Sequence, residues 1–207
     1  WDNKLSWKKN NSLIPYKKYK NVFIVFKLIN QKRKLEFPFK WNNKEWPRLW
    51  QFHLHYFNWL RNWLEKDIKN QENSIELGTI DNLINDWINS NHKSSFDGWH
   101  SYTISIRIRN LLLFYSFHPE IVKEKYLSSI WDQLIWLDRH PESYLGGNHW
   151  LENLTALIFG SLFFKNKKSN KIFLKALKKL EKEIDKQILE DGGHEERSSS
   201  YHILIID

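Results

Sequence analysis

The sequence contains no cysteine and no methionine, and it has only 7 glycines and 5 prolines in 207 residues. Without cysteine, the chain forms no disulfide bond and binds no metal through thiolates. The scarcity of glycine and proline, together with 41% hydrophobic residues, excludes collagen-like, loop-dominated and disordered chains. No apolar run approaches the roughly 20 residues that span a bilayer, so we predict no transmembrane helix. This length predicts one folded domain with its own core.

Both ends of the sequence predict a longer natural chain. The sequence begins with Trp1 rather than methionine, and it ends on an apolar run at 203–206 followed by Asp207, without a helix stop signal. We therefore expect further residues on both sides, including any export signal.

The formal net charge of +8 suits an anionic partner, such as an acidic sugar polymer, a membrane surface or nucleic acid. The lysines concentrate at 17–20 and over 165–186, where Glu181, Glu183 and Asp185 interleave with them as on a solvated helix face. This distribution argues against nucleic acid, and biased codon usage is the simpler account of the lysine content. Most of the 12 tryptophans are expected in the core, with a few lining a groove where sugar rings stack.

Helical periodicity dominates the sequence after residue 47. Residues 1–47 are irregular, with one β-like run at 22–29, and from Arg48 to about Trp63 the apolar spacing predicts one amphipathic helix. Further helices are predicted at about 75–89, 101–117, 119–138, 148–164 and 170–189, and Ser198 or Ser199 is expected to cap a seventh. Such helices with short loops pack as antiparallel pairs, so we predict an all-α fold, either a bundle or a toroid.

Asn148, His149 and Glu152 form the first candidate site. On a helix these positions lie three and four residues apart, so their side chains share one face. An ordinary alternative stays open, in which Asn148 caps the helix, His149 is a satisfied half-buried histidine and Glu152 caps or faces solvent. Although His149 and Glu152 have the spacing of a metal-binding pair, this segment offers no third ligand, so we expect no metal and no other cofactor.

The segment at 191–202 forms the second candidate site. Two glycines end one helix, a polar loop follows, and Tyr201 lies in the first turns of the next helix, near its positive end. A free tyrosine has a pKa of about 10, so proton transfer by Tyr201 requires help from neighbours such as His194, Arg197 or His202. An ordinary polar loop with a buried tyrosine is the alternative.

A few further polar and aromatic residues are candidates from their surroundings in the sequence. Arg107 lies in an apolar stretch, so an inward-facing guanidinium needs an acidic partner or a carboxylate-bearing ligand, whereas a solvent-facing one needs neither. Trp99 belongs to a polar and aromatic patch at 96–102. His53, His55 and Asn58 interrupt the first helix, and we expect them to line a groove or to be satisfied in the core rather than to act in catalysis.

Four stretches, at 49–60, 98–110, 147–157 and 191–202, resemble the helical N-terminal domain of the heparinase II/III-like polysaccharide lyases, which include related alginate and oligoalginate lyases. The resemblance implies an incomplete (α/α) toroid of antiparallel helical hairpins at 48–207, behind an N-terminal extension at 1–47. The rest of the toroid and a β-sandwich domain would lie beyond this sequence. It also implies a periplasmic or secreted location.

The resemblance implies cleavage of a uronate-containing acidic polysaccharide by β-elimination. Asn148 and His149 match the positions that neutralise the uronate carboxylate, and Tyr201 matches the catalytic tyrosine. The family often has proline where this chain has Ser199, a change that loosens helix initiation but removes no reactive group. The residues expected to contact substrate or to order the site are Glu152, Arg107, Trp99, His194, Arg197 and His53.

Two other functions stay open from the sequence. A hydrolase on the same helical scaffold would use paired acids drawn from Asp97, Glu152, Glu195 and Glu196. A carbohydrate-binding or surface-polysaccharide assembly protein would keep the groove without turnover. Neither the sugar nor the oligomeric state follows from the residues.

Overall fold

The computed structural model describes residues 4–7, 23–69, 75–93, 97–193 and 195, with the backbone alone at 4–7. The described elements are β1 (Lys4–Trp7), β2 (Phe23–Leu28), β3 (Gln31–Glu36), α1 (Arg48–His55), α2 (Asn58–Ile68), α3 (Leu77–Ser90), α4 (Ser101–Phe117), α5 (Glu124–Arg139), α6 (Gly147–Phe163) and α7 (Lys167–Gln187). The predicted all-α fold with an N-terminal extension is confirmed. The choice between a toroid and a bundle stays a prediction.

The N-terminal extension contains a three-stranded antiparallel sheet in the order β1, β2, β3. The one predicted β-run corresponds to β2, whose alternate residues Ile24, Phe26 and Leu28 are buried. Strand β3 was not predicted, because four of its six residues are polar or charged and exposed. Ile29 and Asn30 join the two strands with positive φ angles of 43° and 62°, as a tight hairpin requires.

The predicted helix from Arg48 to Trp63 is wrong, because the structure breaks it into α1 and α2. Phe57 takes a left-handed backbone conformation with φ of 62° between the two helices. Its ring is fully buried, with ring centroids 4.9 Å from Trp59 and 5.6 Å from Trp87. Burial of an aromatic side chain offsets the roughly 1–2 kcal/mol that a left-handed residue costs.

The helix break leaves two main-chain carbonyls that receive donors from α4. Arg107 donates from Nη1 to the carbonyl of His55 at 3.0 Å, and Asn110 donates from Nδ2 to the carbonyl of Tyr56 at 2.8 Å. A buried carbonyl without a partner costs free energy, so these side chains stabilise the break.

The remaining helices lie close to their predicted positions. α4 has the predicted bounds, whereas a single 3₁₀ turn at Pro119–Ile121 precedes α5, which begins at Glu124. α7 begins at Lys167 with Asn166 in a capping box with Ser169, three residues earlier than predicted. The predicted helix capped by Ser198 or Ser199 lies outside the described residues.

The core lies between the sheet and the helices, and α4 contacts α2, α5 and α6. As predicted, most tryptophans with described side chains are buried: Trp41, Trp50, Trp59, Trp63, Trp87, Trp99 and Trp150. Within the described part of the chain, none of the helices combines the length and apolar character needed to cross a membrane.

Candidate functional site

A cluster of two histidines around one buried glutamate lies at the N-terminal end of α6. Glu142, in the loop before the helix, is only 3% exposed. Its Oε1 lies 3.2 Å from Nδ1 of His149 and 3.6 Å from Nε2 of His100. We call His100, Glu142 and His149 the histidine–glutamate cluster. The two imidazole side chains are each 36% exposed, so the cluster has a buried anion beneath two accessible rings.

Asn153 holds Glu142 in place from within the core. Its Oδ1 accepts from the main-chain N–H of Glu142 at 2.7 Å, and its Nδ2 lies 3.3 Å from Glu142 Oε2. The same Nδ2 donates to Oγ of Ser105 on α4 at 3.1 Å. Because Asn153 is fully buried, these bonds are shielded from water and fix the loop and its carboxylate against α4 and α6.

Aromatic rings form one wall of the site. Tyr102 stacks on His149 with centroids 4.2 Å apart, and Tyr56 lies 5.8 Å from Tyr102. Burial, together with Tyr102 and Glu142, raises the pKa of Tyr56 well above its usual value, so its hydroxyl stays protonated. His53 lies 5.0 Å from Tyr56, and its Nδ1 is buried with no hydrogen-bond partner among the described residues. Burial lowers the pKa of His53.

Glu152 lies one turn beyond His149 and is paired with Arg109 of α4. Nη2 of Arg109 lies 3.1 Å from Oε1 and 2.9 Å from Oε2 of the carboxylate. Burial raises the pKa of Glu152, while Arg109 and His149 oppose this shift. The charge interaction between His149 and Glu152 agrees with the predicted shared helix face. Since Glu152 is held by an arginine, it does not face solvent alone.

Asn148 is the second residue of α6 and is half-buried. It was predicted to be the possible N-cap of this helix, but the helix begins one residue earlier. Gly146 occupies the N-cap, with φ of 63°. The capping alternative for Asn148 is therefore wrong.

Arg107 and Trp99 were expected to contact substrate, but both side chains are buried in the core. The Arg107 side chain is fully buried and donates to Oε1 of Gln133 and to the carbonyls of His55 and Gly98. These acceptors are neutral, in contrast to the expected carboxylate. An enclosed guanidinium does not contact a polymer in a surface groove, so we reassign Arg107 to holding the helix break.

Trp99 is 7% exposed. Its Nε1 donates to the carbonyl of Asn91 at 3.0 Å, and its ring meets the edge of Trp136 at 5.7 Å. Both contacts use the ring for core packing, so its surroundings do not favour the expected stacking on substrate. His55 is a satisfied core histidine, as one of the two sequence alternatives proposed: its Nδ1 accepts from Trp87, and Nε2 lies 3.2 Å from Oδ1 of Asn42.

The second candidate segment is largely outside the described residues. This applies to Tyr201, His194 and Arg197, so their predicted roles stay predictions. Gly192 is described, with φ of 80°, and the main-chain N–H of Glu195 donates to the carbonyl of Gln187 at 2.8 Å. This bond turns the chain back at the end of α7. Since Gln187 also donates to the carbonyl of Gly147, the turn begins beside the start of α6.

Glu142, Arg109 and Tyr56 were not among the site residues predicted from the sequence. A signal existed for His100 and Tyr102, because both lie in the patch at 96–102. The signal for Glu142 was weaker: it is an acidic residue in the loop just before the Asn148–His149 motif.

The sequence matches the family described as Heparinase II/III N-terminus over residues 6–207. This match confirms the resemblance found in the sequence, and it relates the chain to polysaccharide lyases. Comparisons with curated proteins and with solved structures give no match.

Proposed function

We propose that this chain, which belongs to the heparinase II/III N-terminus family, supplies part of the catalytic site of a lyase acting on a uronate-containing polysaccharide. The observation that carries this proposal is the accessible His149 ring held from below by buried Glu142. An imidazole anchored in this way supplies a donor when it is doubly protonated, and the half-buried Asn148, next to it in the sequence, carries an amide donor. A carboxylate is the group that such donors recognise.

The chemistry explains why these donors are needed. In β-elimination a base takes the proton from the carbon next to the uronate carboxylate, and a carbon–carbon double bond forms. The bond to the glycosidic oxygen breaks, and that oxygen receives a proton. The departing proton is acidic enough only when the negative charge that develops on the carboxylate is stabilised, and preorganised donors contribute several kcal/mol to this.

The proposed roles follow from these demands. Asn148 and His149 stabilise the carboxylate charge, and Tyr201 transfers the proton, as the family resemblance implies. Tyr102 stacks on His149 and offers a sugar ring an aromatic face to contact, with the buried Tyr56 packed behind it.

The test is an assay of the full-length protein on a panel of uronate polymers, followed by ultraviolet absorbance of the unsaturated product end. We expect His149→Ala and Asn148→Ala to lower kcat by about 100-fold or more, because each removes a donor to the developing charge. Tyr201→Phe is expected to abolish product formation. His92→Ala, at an exposed position, is the matched control and should keep full activity.

Other outcomes distinguish the competing functions. Saturated products with oxygen from labelled water would identify a hydrolase and contradict elimination. Tight binding of the polymer without any cleavage would identify a binding or assembly protein. Full lyase activity in Tyr201→Phe would refute the proposed role of that residue.

A further inference from the structure

We infer that Glu142 is a positioning residue that fixes the proton arrangement of His149, so that Nε2 is the ring nitrogen presented to the substrate. The kinetic part of this inference rests on the proposed function, whereas the proton arrangement itself does not. Nothing in the family match assigns a role to Glu142.

The contact between Glu142 and His149 determines which ring nitrogen carries a proton. The 3.2 Å separation joins Oε1 of Glu142 to Nδ1 of His149. An ionised carboxylate only accepts hydrogen bonds, so Nδ1 must be the donor. In a neutral imidazole only one nitrogen is protonated, and Nε2 therefore carries a lone pair.

The support behind Glu142 makes this arrangement rigid. Asn153 holds both the main chain and Oε2 of Glu142, and Ser105 holds Asn153. Tyr102 stacks on the His149 ring, with an angle of 28° between the ring planes, and restricts its rotation. The carboxylate is thus fixed by Asn153, and the imidazole ring by Glu142 and Tyr102.

This arrangement has a consequence for substrate binding. A neutral His149 presents a lone pair at Nε2, which repels a uronate carboxylate. The ring donates to that carboxylate only when it is doubly protonated, with Nδ1–H directed to Glu142 and Nε2–H directed to the sugar. Glu142 then compensates the imidazolium charge, as a buried carboxylate does for a histidine in other catalytic sites.

The proton arrangement is measurable on this chain without substrate. Nitrogen-15 NMR of the histidine rings distinguishes a protonated from an unprotonated nitrogen, and His149 is assigned by its absence in His149→Gln. We expect the neutral ring of the wild-type chain to carry its proton on Nδ1. In Glu142→Ala the acceptor is lost, and we expect the Nε2–H form, which is preferred in free histidine, to become dominant.

The pair of His118 and Glu120 provides a control for the NMR experiment. The exposed Glu120 lies with Oε1 3.0 Å from Nδ1 of His118, a largely buried ring whose Nε2 lies 3.1 Å from Oδ2 of Asp67. Glu120→Gln is expected to shift the His118 signals and leave those of His149 unchanged. Circular dichroism establishes that each variant is folded. If Glu142→Ala does not fold, the wild-type spectrum and the Gln variant still decide.

Glu142→Gln separates position from charge. With its amide oxygen towards His149, the glutamine still accepts from Nδ1, while Nδ2 of Asn153 loses Glu142 Oε2 and keeps Ser105 as its acceptor. The Nδ1–H form should therefore persist, but the negative charge is gone. In the full-length enzyme we expect kcat to fall about 100-fold while KM changes less than about 3-fold, because the carboxylate charge of the substrate grows in the transition state.

Two results would overturn the inference. One is a neutral His149 with its proton on Nε2 in the wild-type chain. The other is Glu142→Gln with unchanged kcat on a polymer that the wild-type enzyme cleaves. A wild-type ring protonated on Nδ1 in a full-length protein that cleaves no uronate polymer would support the positioning role and refute the proposed function instead.

Discussion

Replacement of Arg107 by methionine tests whether this residue stabilises the fold or binds substrate. Methionine has a similar length but no hydrogen-bond donor. The change removes bonds to Gln133 Oε1 at 2.9 Å, to the His55 carbonyl at 3.0 Å and to the Gly98 carbonyl at 2.7 Å. It also removes a guanidinium whose central carbon lies 4.0 Å from the centroid of the Trp87 ring.

The expected magnitude follows from two opposing effects. Each buried acceptor left without a donor costs about 1–3 kcal/mol, and three are affected. Against this, a cation no longer has to be desolvated, and the strength of that desolvation is evident because burial lowers the pKa of Arg107 well below its usual value. Because three buried acceptors lose their donors at once, we expect a net destabilisation of about 4 kcal/mol, as for other broken buried hydrogen-bond networks.

The assay is urea unfolding at neutral pH, followed by far-ultraviolet circular dichroism. With a slope of about 2 kcal/mol per M, the midpoint should fall by about 2 M at an unchanged slope. Arg61→Met is the matched control, because Arg61 is 55% exposed and pairs with Glu65 at 3.4 Å. Exposed pairs contribute about 0.5 kcal/mol or less, so its midpoint should hardly move.

A loss below about 1 kcal/mol in Arg107→Met would refute this reasoning. If the same variant kept its stability and lost polysaccharide binding in the full-length protein, the substrate-binding role expected from the sequence would be restored.

Four further substitutions test the packing, the charge state and the capping of the fold by unfolding measurements. Gly160→Ala should lower the melting temperature at a cost of about 1–2 kcal/mol, because its new Cβ would lie 2.6 Å from Cδ1 of buried Leu134. Gly78→Ala, where nothing lies within 4 Å, should raise it through a gain of about 0.5 kcal/mol. Burial lowers the pKa of His55 from 6.5 to about 3, so protonation favours the unfolded chain. Stability should fall as pH drops from 6.5 towards 3, by up to about 1.4 kcal/mol per pH unit. In His55→Asn, the free energy of unfolding measured in urea at several pH values should depend less steeply on pH. Asn166→Ala should cost about 1 kcal/mol in the same titrations, because Asn166 accepts from two N–H groups of α7; a change below about 0.3 kcal/mol would contradict the cap.

Local signals predicted much of the fold. The bounds of α4 follow from an apolar stretch that Pro119 terminates, and the length of α7 follows from its regular apolar spacing. The break at Phe57 has no such signal. The apolar spacing continues through it, and partners distant in the sequence, among them Trp87, Arg107 and Asn110, stabilise a left-handed phenylalanine there.

In the candidate site too, contacts within one helix were predictable from the sequence, whereas contacts between elements were not. Helical spacing places His149 and Glu152 on one face, and His149 is among the groups that oppose the raised pKa of Glu152. The contact of His100 with Glu142 depends on how α4 packs against the loop before α6, across 42 residues of sequence. Apolar periodicity predicts single helices and strands, so it could not predict a cluster whose residues come from two different elements.

α4 connects the helix break to the site, since both depend on different faces of one rigid element. Arg107 and Asn110 face the break between α1 and α2. On the other side, Ser101 donates to the carbonyl of His140 at the start of the loop, and Ser105 and Arg109 hold Asn153 and Glu152. Because a helix transmits rotation along its length, a shift of α4 at the break displaces the support of Glu142 as well. We therefore expect the positions of the His149 ring and of the buried arginine to be coupled through the packing of α4, so that a stable core is a condition for a fixed site.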